Sequence, residues 1–496
     1  MLQVMHWRIT IGSILLAVLM GSGCQTKQPE SYTRERLRVV IPVTYQTQIK
    51  DLMNSGVRSF SVSYDDIDWV SMPFYKGRDA VFAPSLASRL EDTDPDADLF
   101  FIDLYRLRSF RPSWLTPLTS VHAEPSENLF RPAFQTAAQL TDEDVYAVPW
   151  SAKGNFLFYR SDLVKTPPKT WNELKQRCDE VAAKGLERTM RFCLLVSWES
   201  LHNDLYPLLW SLSEDGALNL ASEAVTNFVT ELVEAFGQPI AGGFRLAPPV
   251  SNLQDEVGRH IHRRFAGGEA VFMINWNNRL RFMVNESRKN KRKTPAIGIA
   301  PIPSASSNGM RWSNIGTWGW IVPSPAKHAT VGSQARHALA RTFVQELTSR
   351  ESVEFLSVAS GMIPARKDVA LPKDLEGVLD SSVVQTLDGA PDGGDSFAFG
   401  DRGSDTFVHR YVLDALQDIL QCRTRPTHPN TSVLMGDCAR YYDECLQSSV
   451  GLDATAKERS ELTVAADMKK CLRAAVRRRL HRAQSQIDAL GFEVEQ

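Results

Sequence analysis

The sequence predicts an α/β fold with mainly parallel sheets. Two observations lead to this prediction: short apolar runs typical of buried strands, and amphipathic stretches with helical spacing that alternate with them along the chain. At 496 residues the chain is long enough for two or three domains with large cores. Apolar residues make up 43% and charged residues 23%, which is ordinary for a globular protein.

The strands are predicted from apolar runs that are bounded by polar or turn-forming residues. In chain order they are LRVVIPV (37–43), DLFFIDL (98–104), YAVP (146–149), NFLFY (155–159), FCLLVSW (192–198), AVFMINW (270–276), AIGIAPIP (296–303) and GTWGWIVP (316–323). A polar break separates YAVP from NFLFY, so we expect two short strands there.

The helices are predicted from 3.6-residue periodicity and from capping residues. Residues 167–185 have Thr170 and Glu173 at capping-box spacing and Gly185 as the stop, and Ser222 caps a helix over 222–236. Two further helices are expected at 333–348 and 351–358. The tail, 455–496, predicts a long polar helix whose basic run is either a solvated face or a contact with lipid headgroups or a partner.

The N-terminus has the pattern of an export signal. His6 and Arg8 precede an apolar run over 9–20, which is too short to span a bilayer, and small residues follow up to Cys24. A cysteine at this point resembles the bacterial lipobox, although Gly21 stands where that motif prefers leucine. We expect a signal peptide over 1–23, a lipidated Cys24 and a tether over 24–35. The alternative is a plain signal peptide with an incidental cysteine.

Cysteine usage is consistent with an exported protein. Seven cysteines are present, so six remain if Cys24 carries lipid, and an even number favours disulfides. These six are Cys178, Cys193, Cys422, Cys438, Cys445 and Cys471. Cys178 and Cys193 are placed as possible neighbours, while the last four allow three pairings. Free thiols and a zinc site are the alternatives, but no CxxC or CxxH spacing supports zinc.

Charge and motifs exclude several classes of function. A net charge of −2 gives no general attraction to nucleic acid or to anionic lipid. No GxSxG, P-loop, HExxH or GxGxxG motif is present, although a glycosidase-like pair of carboxylates stays open. The acidic stretch 92–103 resembles a calcium loop but has Ala97 where glycine is required, which favours an acidic turn. We therefore expect no enzyme, no cofactor, no metal and no nucleic acid.

Tryptophans at strand ends indicate a binding site. Of the 11 tryptophans, five follow predicted strands or lie in loops: Trp150, Trp198, Trp276, Trp312 and Trp318. In α/β sheets ligands bind beyond the carboxyl ends of strands, and a flat indole suits the apolar face of a sugar ring. The alternative for each is packing in the core or at a hinge.

Four segments in order resemble the extracellular solute-binding proteins of ABC importers, of the maltose-binding-like (family 1) carbohydrate type. They are PDADLFFIDLYRL (95–107), YAVPWSAKGNFLFYRSDLVKTPPKTWNEL (146–174), FAGGEAVFMINW (265–276) and IGIAPIPS with GTWGWIVP (297–323), followed by two helices and SGMIPAR (360–366). The resemblance covers 36–445. It implies a two-lobed periplasmic-binding-protein type II fold, each lobe a mainly parallel sheet flanked by helices. Lobe 1 would hold 36–147 plus 319–370, lobe 2 would hold 151–315 plus 371–450, and 451–496 would be a helical extension.

The resemblance also implies ligand contacts at Asp103, Trp150, Trp276, Trp318, Gly319 and Arg366, while Tyr45 and Trp198 are candidates from their positions at strand ends. The expected function is a monomeric, lipid-anchored protein at the cell envelope, in the periplasm or on the outer leaflet. It would bind a carbohydrate and deliver it to an ABC permease in the inner membrane. The alternatives are a ligand sensor for a membrane receptor and an envelope enzyme that acts on glycans.

Overall fold

The computed structural model describes residues 36–72, 97–122, 129–185, 190–213, 218–236, 258–325, 331–379, 397–400 and 461–488. Gaps inside these ranges fall at 105–106, 108–109, 132–133, 135–137, 140–143, 198–200, 290–294 and 308, and positions 245, 383, 415–416 and 418–419 are also described. The predicted signal peptide, Cys24 and the tether lie outside the described residues, as do Trp198, Cys422, Cys438 and Cys445.

The apolar runs form strands at nearly the predicted positions because their side chains are buried on both faces. The strands of the described residues are β1 (Leu37–Pro42), β2 (Ile67–Met72), β3 (Leu99–Asp103), β4 (Val148–Arg160), β5 (Phe192–Leu195), β6 (Ala270–Trp276), β7 (Ile297–Ala300), β8 (Arg311–Ile321), β9 (Ile363–Pro364) and β10 (Phe397–Gly400). Their main path through one sheet is β2-β1-β3-β8-β4-β6-β5.

Strand direction changes along this path. At its two ends the pairs are parallel, β1 with β2 and β3, and β5 with β6. In the middle, β8 is antiparallel to β3 and β4, and β4 is antiparallel to β6 and β7. The predicted parallel pairing therefore holds for the outer strands, whereas β4 and β8 join the two parallel groups in the antiparallel sense.

One long strand replaces two predicted short ones. The structure has a continuous 13-residue β4 where the sequence suggested YAVP, a polar break and NFLFY. The break continues the ladder because Ser151–Gly154 pair with β8, after a register shift next to Pro149. The second half, Asn155–Arg160, pairs with β6 and β7. β4 thus passes from one parallel group of strands to the other.

Two helices of the described residues begin at the predicted caps, Thr170 and Ser222. In chain order the helices of this part of the chain are α1 (Val43–Asn54), α2 (Trp171–Ala183), α3 (Leu201–Trp210), α4 (Glu223–Ala235), α5 (Gly258–Ala266), α6 (Arg279–Lys289), α7 (Val331–Leu347), α8 (Arg350–Ser360), α9 (Lys373–Glu376) and α10 (Glu461–Asp488). Thr170 accepts a hydrogen bond from the backbone N–H of Glu173 at 3.1 Å, and Ser222 accepts one from that of Val225. α8 ends at Gly361, whose φ of 71° suits glycine.

Apolar packing is organised around the two parallel groups. One cluster joins β5, β6 and helices α2, α3, α4 and α10, with Trp171, Leu205 and Val229 among its buried members. A second cluster joins β1, β3, α1, α7 and α8. It extends to β6 through Ala152, Phe156 and Phe158 of β4, whose side chains lie on the face of β4 opposite to that of Leu157, which belongs to the first cluster. The crossing strand is therefore enclosed by core on both sides.

The C-terminal helix α10 packs against α4. Its buried stripe consists of Cys471, Leu472, Ala475, Val476, Leu480, Ala483 and Ile487. Basic side chains of the same helix form ion pairs within the chain: Arg473 and Arg477 with Glu223, Lys469 with Glu234, and Arg479 with Asp418. The exposed pairs contribute little each, so the apolar stripe is the main reason for docking.

Candidate functional site

The candidate site lies on one face of the sheet, where β3, β8, β4 and β6 meet. Asp103 pairs with Trp318, Lys153 pairs with Gly316, and Asn155 pairs with Trp276. Directly paired residues in neighbouring strands point to the same face, so these side chains share one surface. We call this surface the cleft face.

Gly316 leaves a gap at the centre of the cleft face. A β-carbon at this position would lie 3.6 Å from Asp103 Oδ2 and 3.8 Å from the ring of Trp276. The acid and the indole therefore approach the same small space from different strands. Both are partly exposed, so a carboxylate and a flat apolar ring lie side by side at this surface.

Aromatic rings support this face from one end. Tyr45, from α1, lies 5.0 Å from Trp318 and 5.7 Å from Trp150, measured between ring centroids. Phe101 stacks on Trp318 at 5.4 Å and contacts Trp150 at 5.0 Å. Trp150 is 1% exposed, Tyr45 4% and Trp318 9%. Trp150 therefore packs behind Tyr45 and Phe101, while Trp318 lies nearest the surface.

Three charged groups meet at the cleft face. Lys153 Nζ stands 5.0 Å from the ring centroid of Trp318 and 6.0 Å from that of Tyr45. Burial lowers the pKa of Lys153 to about 8, while nearby Asp103 raises it and nearby Arg279 lowers it. The same two neighbours act on Tyr45, whose pKa is raised well above its usual value, chiefly by burial. Asp103, Lys153 and Arg279 therefore form one electrostatic group.

A buried carboxyl lies behind the site. Asn155 Nδ2 donates to Asp204 Oδ1 at 2.9 Å, and the Ser197 backbone N–H donates to Asp204 Oδ2 at 2.7 Å. Burial raises the pKa of Asp204 to about 7 despite these two bonds. Asp204 is 1% exposed, so it holds Asn155 and the chain after β5 in place.

Asn277 fixes three elements at the edge of the site. Its Oδ1 accepts from the Gly154 backbone N–H at 2.8 Å, and its Nδ2 donates to the Gly361 carbonyl at 2.9 Å. The side chain is fully buried. Beside it, the Arg281 guanidinium donates to the Val358 carbonyl. The turn after β6 is thereby tied both to β4 and to the end of α8.

Gly319 and Arg366 take different positions from the cleft-face residues. A β-carbon at Gly319 would lie 2.7 Å from the Val148 carbonyl oxygen, so this glycine permits close packing of β8 on β4. Arg366 is 7% exposed, forms a double hydrogen bond with Asp368 and donates to the Thr348 carbonyl. Its guanidinium anchors the chain that follows β9.

The prediction missed three residues at the site. Apart from Arg160 at its end, Lys153 is the only charged residue of β4. A lysine inside a largely apolar strand is the sequence signal that could have identified it. Asp204 is likewise a lone acid in the apolar helix α3. Asn277 carries no such indication, because its role depends on the distant Gly361.

One predicted disulfide is confirmed. Cys178 in α2 and Cys193 in β5 are bonded, with a Cα–Cα distance of 5.6 Å. Cys471 is also disulfide-bonded, to a partner outside the described residues. Both bonds involve the core cluster around α2, α4 and α10.

Among the described residues, no group of three or more His, Cys, Asp or Glu side chains is suited to hold a metal. In the acidic stretch 92–103, the Asp98 carboxylate accepts hydrogen bonds from the Arg38 backbone N–H and from the Arg336 side chain. Residues 92–96 lie outside the described residues. No helix among the described residues has the length and apolar character to cross a bilayer.

Two parallel groups of strands joined by long crossing strands define the two-lobed fold of the periplasmic-binding-protein type. The chain belongs to the family described as "Bacterial extracellular solute-binding protein", which matches residues 86–377, more than half of the sequence. The predicted family and fold class are confirmed.

Similar proteins agree with this assignment. A Deinococcus radiodurans protein described as "Probable ABC transporter-binding protein" is 28% identical over 193 residues, which are 37% of this chain and 44% of that protein. The match thus spans less than half of the relative. Maltose-bound MalE3 of T. maritima is 20% identical, with a TM-score of 0.57, over 78% of this chain and 95% of that one.

Two further solved structures share the fold at low identity. MalE of Xanthomonas citri is 14% identical, with a TM-score of 0.54, over 90% of this chain and 98% of that one. A solute-binding protein of Agrobacterium radiobacter K84 in complex with ribitol is 15% identical, with a TM-score of 0.54, over 78% and 93%. At these identities the likeness establishes the architecture.

Proposed function

We propose that this protein captures a carbohydrate between two lobes and delivers it to an ABC permease. The observation that carries the proposal is the meeting of Trp276 and Asp103 over Gly316, beside Trp318. An indole stacks on the C–H face of a sugar, and a carboxylate accepts hydrogen bonds from its hydroxyl rim. The solved relatives include proteins bound to maltose and to ribitol, both polyhydroxylated molecules.

In the proposed division, lobe 1 comprises 36–147 and 319–370, and lobe 2 comprises 151–315 and 371–450, with 451–496 as an extension. β4 and β8 are the strands that cross between them, so rotation about these strands would open and close the cleft face. A ligand that contacts both lobes stabilises the closed arrangement because those contacts form only on closure. Asp103 and Trp276 lie on opposite sides of this boundary.

The binding proposal is tested with the mature chain that begins after Cys24. A panel of neutral and acidic oligosaccharides is screened by thermal shift, and positive sugars are examined by small-angle scattering. We expect a higher melting temperature and a smaller radius of gyration with at least one sugar. Absence of any shift across the panel would contradict carbohydrate binding. Release of product from a labelled sugar would instead favour the enzyme alternative.

We propose further that the protein is exported and anchored at the cell envelope through a lipid on Cys24, and that it acts there as a monomer. The support is the sequence pattern over 1–24 and membership of an extracellular family. Cys24→Ala should move the protein from the membrane fraction to the soluble fraction. Continued membrane association of that variant would contradict the lipid anchor, without bearing on sugar binding.

A further inference from the structure

The charge on the cleft face is a feature that capture of a neutral sugar does not require. Lys153 lies in the first half of the crossing strand β4, and its ammonium stands over the rings of Trp318 and Tyr45. The aromatic faces stabilise the cation, and among the described residues no carboxylate forms a salt bridge with it. The side chain is half-buried, and a ligand that stacks near Trp318 therefore meets a positive charge.

Three charged side chains act on one another at this place. Lys153 from β4 and Arg279 from the start of α6 contribute two cations, and Asp103 at the end of β3 contributes one anion. The Tyr45 hydroxyl faces the same group and stays neutral at physiological pH, because burial raises its pKa. The Lys153 ammonium is half-buried over two aromatic rings, and a partly desolvated cation is stabilised when an anion approaches it.

We propose that the ligand is an anionic carbohydrate, a sugar whose ring carries a carboxylate or a sulfate ester, and that Lys153 selects it. This inference rests on the proposed sugar-binding function and names the class of sugar. Trp276 and Asp103 recognise the ring and its hydroxyls, and the anionic group lies at the Lys153 ammonium. Lysine suits this role because its ammonium is a compact point charge on a flexible stem.

The direct test compares matched sugars by calorimetry. The pairs are galacturonate trimers with neutral galactose trimers, glucuronate with glucose, and glucose 6-sulfate with glucose. We expect the anionic member of at least one pair to bind tenfold or more tightly, and the pair that shows it distinguishes carboxylate from sulfate. Equal or tighter binding of the neutral members overturns the anionic class and leaves the proposed function intact. Failure of every sugar to bind overturns both.

Variants test the role of Lys153 itself. Lys153→Met should reduce the anionic-to-neutral affinity ratio about tenfold or more, as expected for loss of a charge-assisted contact. Lys153→Arg should keep most of the ratio. The matched control is Lys165→Met, which removes the same charge from an exposed position just beyond the far end of β4. An unchanged ratio in Lys153→Met would overturn the selection by this lysine.

The unmodified protein offers an independent measurement. Deprotonation of Lys153 removes the charge, so affinity for the anionic sugar should fall as the pH rises through about 8. Affinity for the neutral partner sugar should change less over the same range. Because no variant is involved, a folding defect cannot produce this difference. Parallel pH profiles for the two sugars would contradict the proposal.

Discussion

The Cys178–Cys193 bond allows a quantitative prediction about stability. The two cysteines are 15 residues apart in sequence, and both are fully buried between α2 and β5. Closing a loop of about 15 residues restricts the unfolded chain by about 3 kcal/mol at 25 °C. The double substitution Cys178→Ala with Cys193→Ala should lower the free energy of unfolding by about this amount, plus a smaller packing loss.

The assay is urea denaturation of the wild type and the double variant, each in oxidising and in reducing buffer. Alanine is chosen because serine would bury two hydroxyl groups. Reductant alone is ambiguous, since it also opens the Cys471 bond. That bond is present in both proteins, however, so its effect cancels in the comparison between them.

The four measurements form a cycle. In oxidising buffer the difference between the two proteins contains the loop constraint and the packing loss, whereas in reducing buffer only the packing loss remains. We expect the first difference to exceed the second by about 3 kcal/mol. Equal differences in the two buffers would refute the reasoning, because they would show that the bond does not restrict the unfolded chain.

Three further predictions concern the site and its support. Trp276→Ala should weaken sugar binding by about 1–3 kcal/mol through loss of an aromatic stack. The control Trp312→Ala removes a ring packed on the core, so it should lower stability and leave the sugar affinity unchanged. Titration calorimetry measures the affinity of both variants. Burial raises the pKa of Asp204 from 3.8 to about 7, so the native state holds a proton that the unfolded state releases, and stability should fall as pH rises across this window by up to about 4 kcal/mol. Asp204→Asn should remove that dependence of stability on pH. If urea titrations give the variant the same pH profile as the wild type, Asp204 is not its cause. Gly319→Ala should cost about 1–3 kcal/mol because its β-carbon would meet a β4 carbonyl oxygen at 2.7 Å, while Gly377→Ala, with open space around it, should stay within about 0.5 kcal/mol.

Local chemistry predicted most elements of the fold. The capped helices α2 and α4 begin one residue after Thr170 and Ser222, as capping requires. The buried strands β1, β3 and β6 fall inside their apolar runs. These elements could be read from sequence because capping, periodicity and burial depend on neighbours only a few residues away.

The continuity of β4 could not be predicted in this way. Its polar middle looks like a break, and only the partner strand β8 supplies the hydrogen bonds that keep Ser151–Gly154 extended. The roles of the tryptophans were hidden for the same reason. Trp150 and Trp318 both lie near strand ends in sequence, yet Trp150 is 1% exposed behind Phe101 and Tyr45.

The sequence by itself determined the class of fold, the family resemblance and the capped helices, and it marked Cys178 and Cys193 as possible neighbours that the structure shows to be bonded. The tertiary structure alone decided which side chains share the cleft face, because Asp103, Lys153 and Trp276 meet through the register of four strands that are distant in sequence. It also decided the charge that a ligand meets, since the position of Lys153 over two aromatic rings depends on how β4 packs against α1 and β8. Local interactions are encoded in short segments, whereas a binding face is formed by long-range pairing, and its chemistry appears only when those strands are aligned.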